Sequence, residues 1–127
     1  MKRMRIVFLT VVVGILAIAG AAFAHHGTAN YNTKDSLTVK GTITAFQFIN
    51  PHVLIFLDVN ENGKVKKYQG ELTSPNRLAR IGWHQDTLKP EDTVTISGFP
   101  AKDGSPEIWI QKVIMADGTQ LKTEGEN

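Results

Sequence analysis

The chain has 127 residues, with 14 Lys and Arg against 12 Asp and Glu, and no cysteine. This length suits one domain, and the lack of cysteine excludes disulfides. Three of the basic residues, Lys2, Arg3 and Arg5, lie at the very start. Without them, eleven basic residues face twelve acidic ones, a net charge of −1. Such a domain lacks the basic footprint that phosphate binding requires, so we expect no nucleic-acid partner.

The first 24 residues have the three parts of a secretory signal peptide. A basic start precedes an apolar run, and the small residues Ala22 and Ala24 flank Phe23 at a cleavage position. We expect cleavage between Ala24 and His25, which yields a periplasmic or secreted protein that meets the membrane only transiently, through its signal peptide. The alternative is a retained anchor, because residues 6–24 are almost long enough to cross a bilayer.

The remaining chain divides into three parts. Residues 25–36 are polar and show no periodicity, which predicts an extended N-terminal arm. Residues 37–122 carry short alternating runs separated by turn signals, which predicts one β-domain. Residues 123–127 form a polar tail.

Two strands are expected to meet at a corner in residues 39–59. The first alternates and then slips in phase near Ala45, as a β-bulge would require. The second, residues 53–59, begins apolar on both faces, which is typical of a strand inside a sheet. Asn50, Pro51 and His52 form the corner between them, because proline cannot donate a ladder hydrogen bond.

Asn62-Gly63 predicts a two-residue hairpin turn, since both central positions of a type I′ turn need positive φ. In that register Asp58 faces Lys67 and Leu57 faces Tyr68. A four-residue loop would shift the pairing but keep the same faces. Either register places His52 and Glu71 on one outer face, about 5–8 Å apart at Cβ.

The rest of the chain supplies one helix and two more strands. Ser74 and Pro75 start a short helix that Gly82 ends, and Leu78, Ala79 and Ile81 are its expected apolar stripe. Trp83 should close one end of the barrel, and a ligand-binding ring is the alternative. Strands over residues 93–99 and 107–115 follow, and a turn then returns a short strand through residue 121. This order predicts an all-β fold with one short helix, a small OB-type five-stranded barrel. A small open sheet or sandwich is the alternative.

The catalytic inventory is thin: the sequence has no nucleophile elbow, no glycine-rich phosphate loop and no HExxH. We therefore expect a non-enzymatic protein. Four histidines remain, of which His25 would become the N-terminus. Its α-amine and ring nitrogen then form a chelate that suits Cu(II), and His26 adds a third nitrogen. Alternatively, the pair is simply solvated.

His52 is the third candidate metal ligand, with Glu71 as the residue that orients its ring. The structural alternative is that Asn50 caps the turn, Pro51 fixes it, and His52 binds a nearby carbonyl. His84, beside the helix end, is expected to be a surface residue.

Several short motifs together resemble a family of small exported bacterial proteins catalogued as a domain of unknown function. The resemblance implies export and a small β-barrel, and it brings no activity. Gly27 and His84 depart from the family pattern, which has Ser after the histidine pair and no histidine after Gly-Trp. The motifs are His25-His26, GTITAF, Asn50-Pro51-His52, Ser74-Pro75-Asn76, Gly82-Trp83, Asp86-Thr87-Leu88-Lys89-Pro90 and the loop of residues 100–106.

Three functional hypotheses follow. The first is a periplasmic binding module for a transition metal, copper above all, held by His25, His26 and His52. The second is an accessory domain that meets a membrane or a periplasmic protein through Leu54, Phe56 and Trp109, with incidental histidines. The third is an enzyme with His52 and Glu71 as an acid–base pair, for which the sequence names no reaction.

Overall fold

A computed structural model describes residues 27–124. The expected signal peptide, with its cleavage position, and the residues His25 and His26 lie outside the described residues. Within residues 27–124, no helix combines the length and apolar character needed to cross a bilayer.

The described chain forms a closed five-stranded barrel. The elements are β1 Leu37–Gln47, β2 Leu54–Glu61, β3 Lys64–Glu71, α1 Pro75–Arg80, β4 Thr93–Pro100, β5 Glu107–Met115 and β6 Gln120–Leu121. The strands follow the order β3-β2-β1-β4-β5-β6, and a parallel pairing between β3 and β5 closes a barrel of the first five strands. The two-residue β6 pairs only with β5. Three strands, one helix and two strands closed in this way form an OB-type barrel, so the predicted fold class is confirmed and an open sheet is excluded.

The hairpin between β2 and β3 has the predicted register. Asp58 pairs with Lys67 and Leu57 with Tyr68. Asn62 and Gly63 have φ values of 54° and 83°, as a type I′ turn requires. Because this register fixes the faces of both strands, it also decides which residues can meet His52.

The long first strand bends at the predicted bulge. The register of β1 with β2 shifts between Ile43 and Ala45. The first half of β1 pairs with β4, and its second half pairs with β2. At Gly41, a Cβ atom would lie 2.7 Å from the carbonyl oxygen of Asp58. The bulge and this close approach let one strand serve two sides of the barrel.

The barrel interior is apolar. Leu57 and Ile96 are buried, as predicted, whereas Lys64 and Lys66 are exposed. The largest fully buried side chains are Ile43, Ile55, Leu57, Leu78, Leu88, Ile96 and Ile108.

The helix differs in detail from the prediction. Ser74 occupies the N-cap position, but its side chain makes no capping hydrogen bond. Only Leu78 of the expected stripe is buried; Ile81 is half-buried and Ala79 is exposed. The helix has only six residues, and Leu78 is the one that is buried against the core. Trp83 beyond it is buried, and its indole N–H donates to the Lys122 carbonyl at 2.7 Å.

Both ends of the described chain are bound to the barrel. In the arm, Tyr31 is buried and forms a bridge with Ala101, and the Asn32 N–H donates to the Pro100 carbonyl at 2.8 Å. At the other end, Thr123 is buried and its hydroxyl donates to the Gln111 carbonyl. The segments that read as polar in the sequence are therefore held through hydrogen bonds rather than through apolar periodicity.

Candidate functional site

The closure of the barrel brings the candidate residues together. In the parallel pairing of β3 and β5, Glu71 lies beside Trp109. On the other side of β3, Glu71 pairs with Leu54, the first residue of β2. His52 precedes that strand by two residues and reaches Glu71 diagonally. The corner at His52, the end of β3 at Glu71 and the strand β5 at Trp109 thus lie next to one another.

Glu71 joins two residues from distant parts of the chain. Its Oε1 bonds the Nδ1 of His52, and its Oε2 accepts the hydroxyl of Tyr31 at 2.5 Å. The side chains of His52 and Glu71 are 31% and 19% exposed, so the pair is shielded but open to solvent on one side. Burial, then the hydrogen bond to Glu71, raises the pKa of Tyr31 far above its ordinary value. The hydroxyl therefore remains a donor at neutral pH.

Trp109 forms the wall of this cluster. Its ring meets the His52 ring edge to face, with centroids 5.4 Å apart and planes at 86°. The Tyr31 ring packs against it at 5.8 Å. We call the cluster of Tyr31, His52, Glu71 and Trp109 the seam site, because it lies where β3 and β5 close the barrel.

The described part of the N-terminal arm, from Gly27 onward, starts at the seam site. A Cβ atom on Gly27 would lie 3.3 Å from the Cη2 of Trp109, so the backbone at this glycine rests against the indole. His26 is bonded to Gly27, and consecutive Cα atoms are about 3.8 Å apart. Gly27 is the first described residue, and the two predicted N-terminal ligands precede it outside the described range.

The predicted contact between His52 and Glu71 is present, and it replaces the structural alternative for the corner. His52 binds a carboxylate rather than a carbonyl. Asn50 is exposed and makes no side-chain hydrogen bond to any residue in the described range, so it does not cap the turn as that alternative proposed. Pro51 is exposed, and the peptide bond between Asn50 and Pro51 is cis.

The site can present one oriented imidazole. Among residues 27–124, no cluster of three or more His, Cys, Asp or Glu side chains could hold a metal ion. The seam site thus supplies one candidate ligand, His52, with Glu71 behind it. Any further protein ligand has to come from elsewhere in the chain. The same pair matches the acid–base hypothesis in geometry, and both roles remain predictions.

His84 lies apart from the site. It is exposed in the turn after α1, where its Nδ1 accepts the backbone N–H of Asp86 at 3.2 Å. The turn is also held by Thr87, whose side-chain oxygen accepts the His84 N–H at 2.8 Å. His84 is therefore the surface residue that the sequence predicted.

Sequence reasoning missed Tyr31 and gave Trp109 a different part. Tyr31 lies 40 residues from Glu71 along the chain. One signal pointed to it: a single aromatic residue in an otherwise polar arm needs a place to bury its ring. Trp109, which the interaction hypothesis includes in a binding face, is half-buried and packs against Gly27, Tyr31 and His52. Its part in an interaction stays a prediction.

A solved structure similar to this barrel is that of the mitochondrial single-stranded DNA-binding protein Rim1 from S. cerevisiae. The two share 10% sequence identity with a TM-score of 0.49, over 70% of this chain and 95% of that chain. The sequence-based exclusion of nucleic acid was wrong. It rested on formal net charge alone, and a neighbour in the structural comparison is a DNA-binding protein. At this identity the likeness concerns the fold and brings no DNA binding to the present chain.

No curated protein matches the sequence. The sequence profile described as "Family of unknown function (DUF6152)" matches residues 12–109. That range includes the bulged strand, the corner at His52, the helix, Glu71 and Trp109. The match agrees with the resemblance drawn from the short motifs. The chain therefore belongs to DUF6152, a family of unknown function.

Proposed function

We propose that this protein is an exported, non-enzymatic binding module for a transition-metal ion, copper(II) in the first place. The signal peptide is removed after Ala24, and the mature protein begins at His25. Its ligands are the α-amine and ring of His25, the ring of His26 and the ring of His52. Glu71 orients His52 from behind.

One observation carries the proposal: the arm is docked where His52 lies. Trp109 contacts Gly27 on the arm and packs edge to face on the ring of His52. Only two residues, His25 and His26, precede Gly27 in the proposed mature protein, which sets the distance from the α-amine to Gly27. At about 3.8 Å per residue, that distance is short enough for the amine and both rings to converge on an ion beside His52.

The chemistry of the donor set favours copper(II). An α-amine and imidazoles are nitrogen donors that support the tetragonal geometry of Cu(II), and among the common divalent first-row ions Cu(II) binds such sets most strongly. Metal-binding histidines usually donate their second ring N–H to a carboxylate or carbonyl, which fixes the ring. Glu71 provides that partner for His52.

A protein-interaction role is the second candidate. Ile49, beside the corner, is 52% exposed, and the neighbouring Phe48 is half-buried. Large apolar residues at a loop beside the barrel face could meet a periplasmic protein. The proposed face of Leu54 and Phe56 is half-buried as well.

The test is a calorimetric titration of Cu(II) into mature protein that begins at His25. We expect one alanine added before His25 to weaken binding at least about tenfold, a loss of roughly 1.4 kcal/mol, because the amine can no longer chelate with the first ring. A His84→Ala variant with the native terminus is the matched control and should bind as tightly as the parent. Equal affinity with and without the added alanine would refute the terminal chelate. No binding to either protein would favour the interaction role.

A further inference from the structure

The hydrogen bonds of the seam site determine which ring nitrogen of His52 is available to a ligand. A neutral imidazole has one N–H and one lone pair, on different nitrogens. Whichever nitrogen carries the proton cannot bind a metal. The partner of each nitrogen therefore decides which atom the ring presents.

Glu71 decides this for His52. A carboxylate only accepts hydrogen bonds, so the Nδ1 beside Oε1 has to be the N–H donor. The lone pair of the neutral ring is then on Nε2. Unconstrained histidine favours the opposite tautomer, with the proton on Nε2. The arrangement at the seam site thus works against the intrinsic preference of the ring.

Tyr31 holds the carboxylate in place. Its hydroxyl donates to Oε2 while the imidazole donates to Oε1, so both oxygens of Glu71 are engaged. Tyr31 is only 4% exposed, and its ring is packed against Trp109. A side chain fixed in this way gives the carboxylate one orientation. Tyr31 belongs to the same arm that leads to His26.

We propose that Tyr31 is a positioning residue: docking of the N-terminal arm and presentation of the His52 Nε2 lone pair are one event. The ligand class is an electron-pair acceptor, namely a divalent cation such as Cu(II). That class rests on the proposed function, whereas the tautomer does not. The described part of the arm thus has one role at the site, since its Tyr31 orients His52 through Glu71.

The test is nitrogen NMR of the metal-free mature protein, with the His52 signals assigned by comparison with His52→Ala. At a pH where the ring is neutral, we expect a protonated Nδ1 and a bare Nε2. Tyr31→Phe keeps the ring but removes the hydroxyl, so the population with the proton on Nε2 should rise. Tyr68→Phe is the matched control, because it removes a hydroxyl that donates to Glu61 at 2.7 Å, away from His52.

Glu71→Gln sharpens the test. If Tyr31 still donates to the amide oxygen, the amide NH₂ faces Nδ1, and the proton of His52 has to move to Nε2. In the double variant Tyr31→Phe/Glu71→Gln, the amide is released and can turn its oxygen to Nδ1, which should restore part of the original tautomer. Glu71→Gln keeps the Tyr31 hydroxyl, so this single variant still tests the inference if Tyr31→Phe fails to fold.

The outcomes separate the two proposals. An unchanged His52 tautomer in folded Tyr31→Phe and in Glu71→Gln, or a bare Nδ1 in the parent protein, would overturn the positioning role whether or not copper binds. A protonated Nδ1 that responds to both substitutions supports the positioning role. If that protein fails to bind Cu(II), only the metal proposal fails. Where copper does bind, Tyr31→Phe should lower the affinity about tenfold, the lower range for residues behind a ligand.

Discussion

His52 lies at the corner between β1 and β2, and His84 lies in the turn after α1. Both have Nδ1 in a hydrogen bond, yet the two bonds run in opposite directions. The Nδ1 of His52 faces a carboxylate and has to donate. The Nδ1 of His84 accepts a backbone N–H from Asp86, so the proton of its neutral ring is on Nε2. One histidine therefore presents a bare outer nitrogen, and the other presents an N–H.

The difference comes from the partners and not from the histidines. His84 is bonded within its own turn, to residues two and three positions away. His52 is bonded to Glu71, which is 19 residues away and is held in turn by Tyr31. The local partners of His84 make its ring part of the turn. The partners of His52 come from distant parts of the chain and fix the orientation of its ring. We therefore expect His52 to bind a metal ion and His84 to bind none.

The largest effect on the free energy of unfolding should come from truncating a core residue of β2, the strand that follows the His52 corner. Leu57 is 1% exposed in the centre of β2, the strand that follows the corner. Leu57→Ala should lower the free energy of unfolding by about 2–5 kcal/mol, as truncation of a buried leucine does. Lys64→Ala at the exposed hairpin end is the control and should stay within about 0.5 kcal/mol. Urea denaturation measures both. Similar losses in the two variants would mean that β2 does not support the site as described.

A smaller effect should appear at alkaline pH. Burial, then the hydrogen bond to Glu71, raises the pKa of Tyr31 above its ordinary value of 10.0. Above about pH 10 the unfolded chain releases a proton that the folded protein keeps. The free energy of unfolding should therefore fall as the pH rises, by at most about 1.4 kcal/mol per pH unit for one proton.

The variant Tyr31→Phe isolates this contribution from that of other alkaline groups. We expect the loss of unfolding free energy between pH 8 and pH 11 to be smaller in Tyr31→Phe than in the parent protein. Urea denaturation at the two pH values gives both differences. An equal alkaline loss in the two proteins would show that Tyr31 is not protected by the seam site, and the contrast with the His84 turn would lose its structural basis.

Much of the barrel could be predicted because its signals are local. Asn62 and Gly63 specify the turn, and the turn specifies the register that places Glu71 near His52. The phase slip in β1 likewise marks the bulge that lets one strand pair with two neighbours. In both cases side chains alternate between the two faces of a strand, so a short sequence pattern predicts which residues lie on the same face.

The remaining part of the site depends on contacts that leave no periodic pattern. The parallel pairing of β3 with β5 brings Trp109 beside Glu71, which is 38 residues earlier in the chain. Tyr31 of the arm, 40 residues before Glu71, donates a hydrogen bond to the same carboxylate. The arm is polar and is held by backbone hydrogen bonds, which carry no residue-type signature. Formal charge gave the wrong exclusion of nucleic acid for a different reason, because a net charge summed over the sequence does not describe the charge of any one face of the barrel.

Pulsed electron paramagnetic resonance on the Cu(II) complex of the mature protein tests the central claim most directly, because it detects the remote nitrogens of imidazoles bound to copper. We predict that His52→Ala removes one imidazole from the copper spectrum and that His84→Ala removes none. Glu71→Gln should disturb the same signal that His52→Ala removes. A spectrum that is unchanged by His52→Ala, or one that loses an imidazole in His84→Ala, would contradict the account.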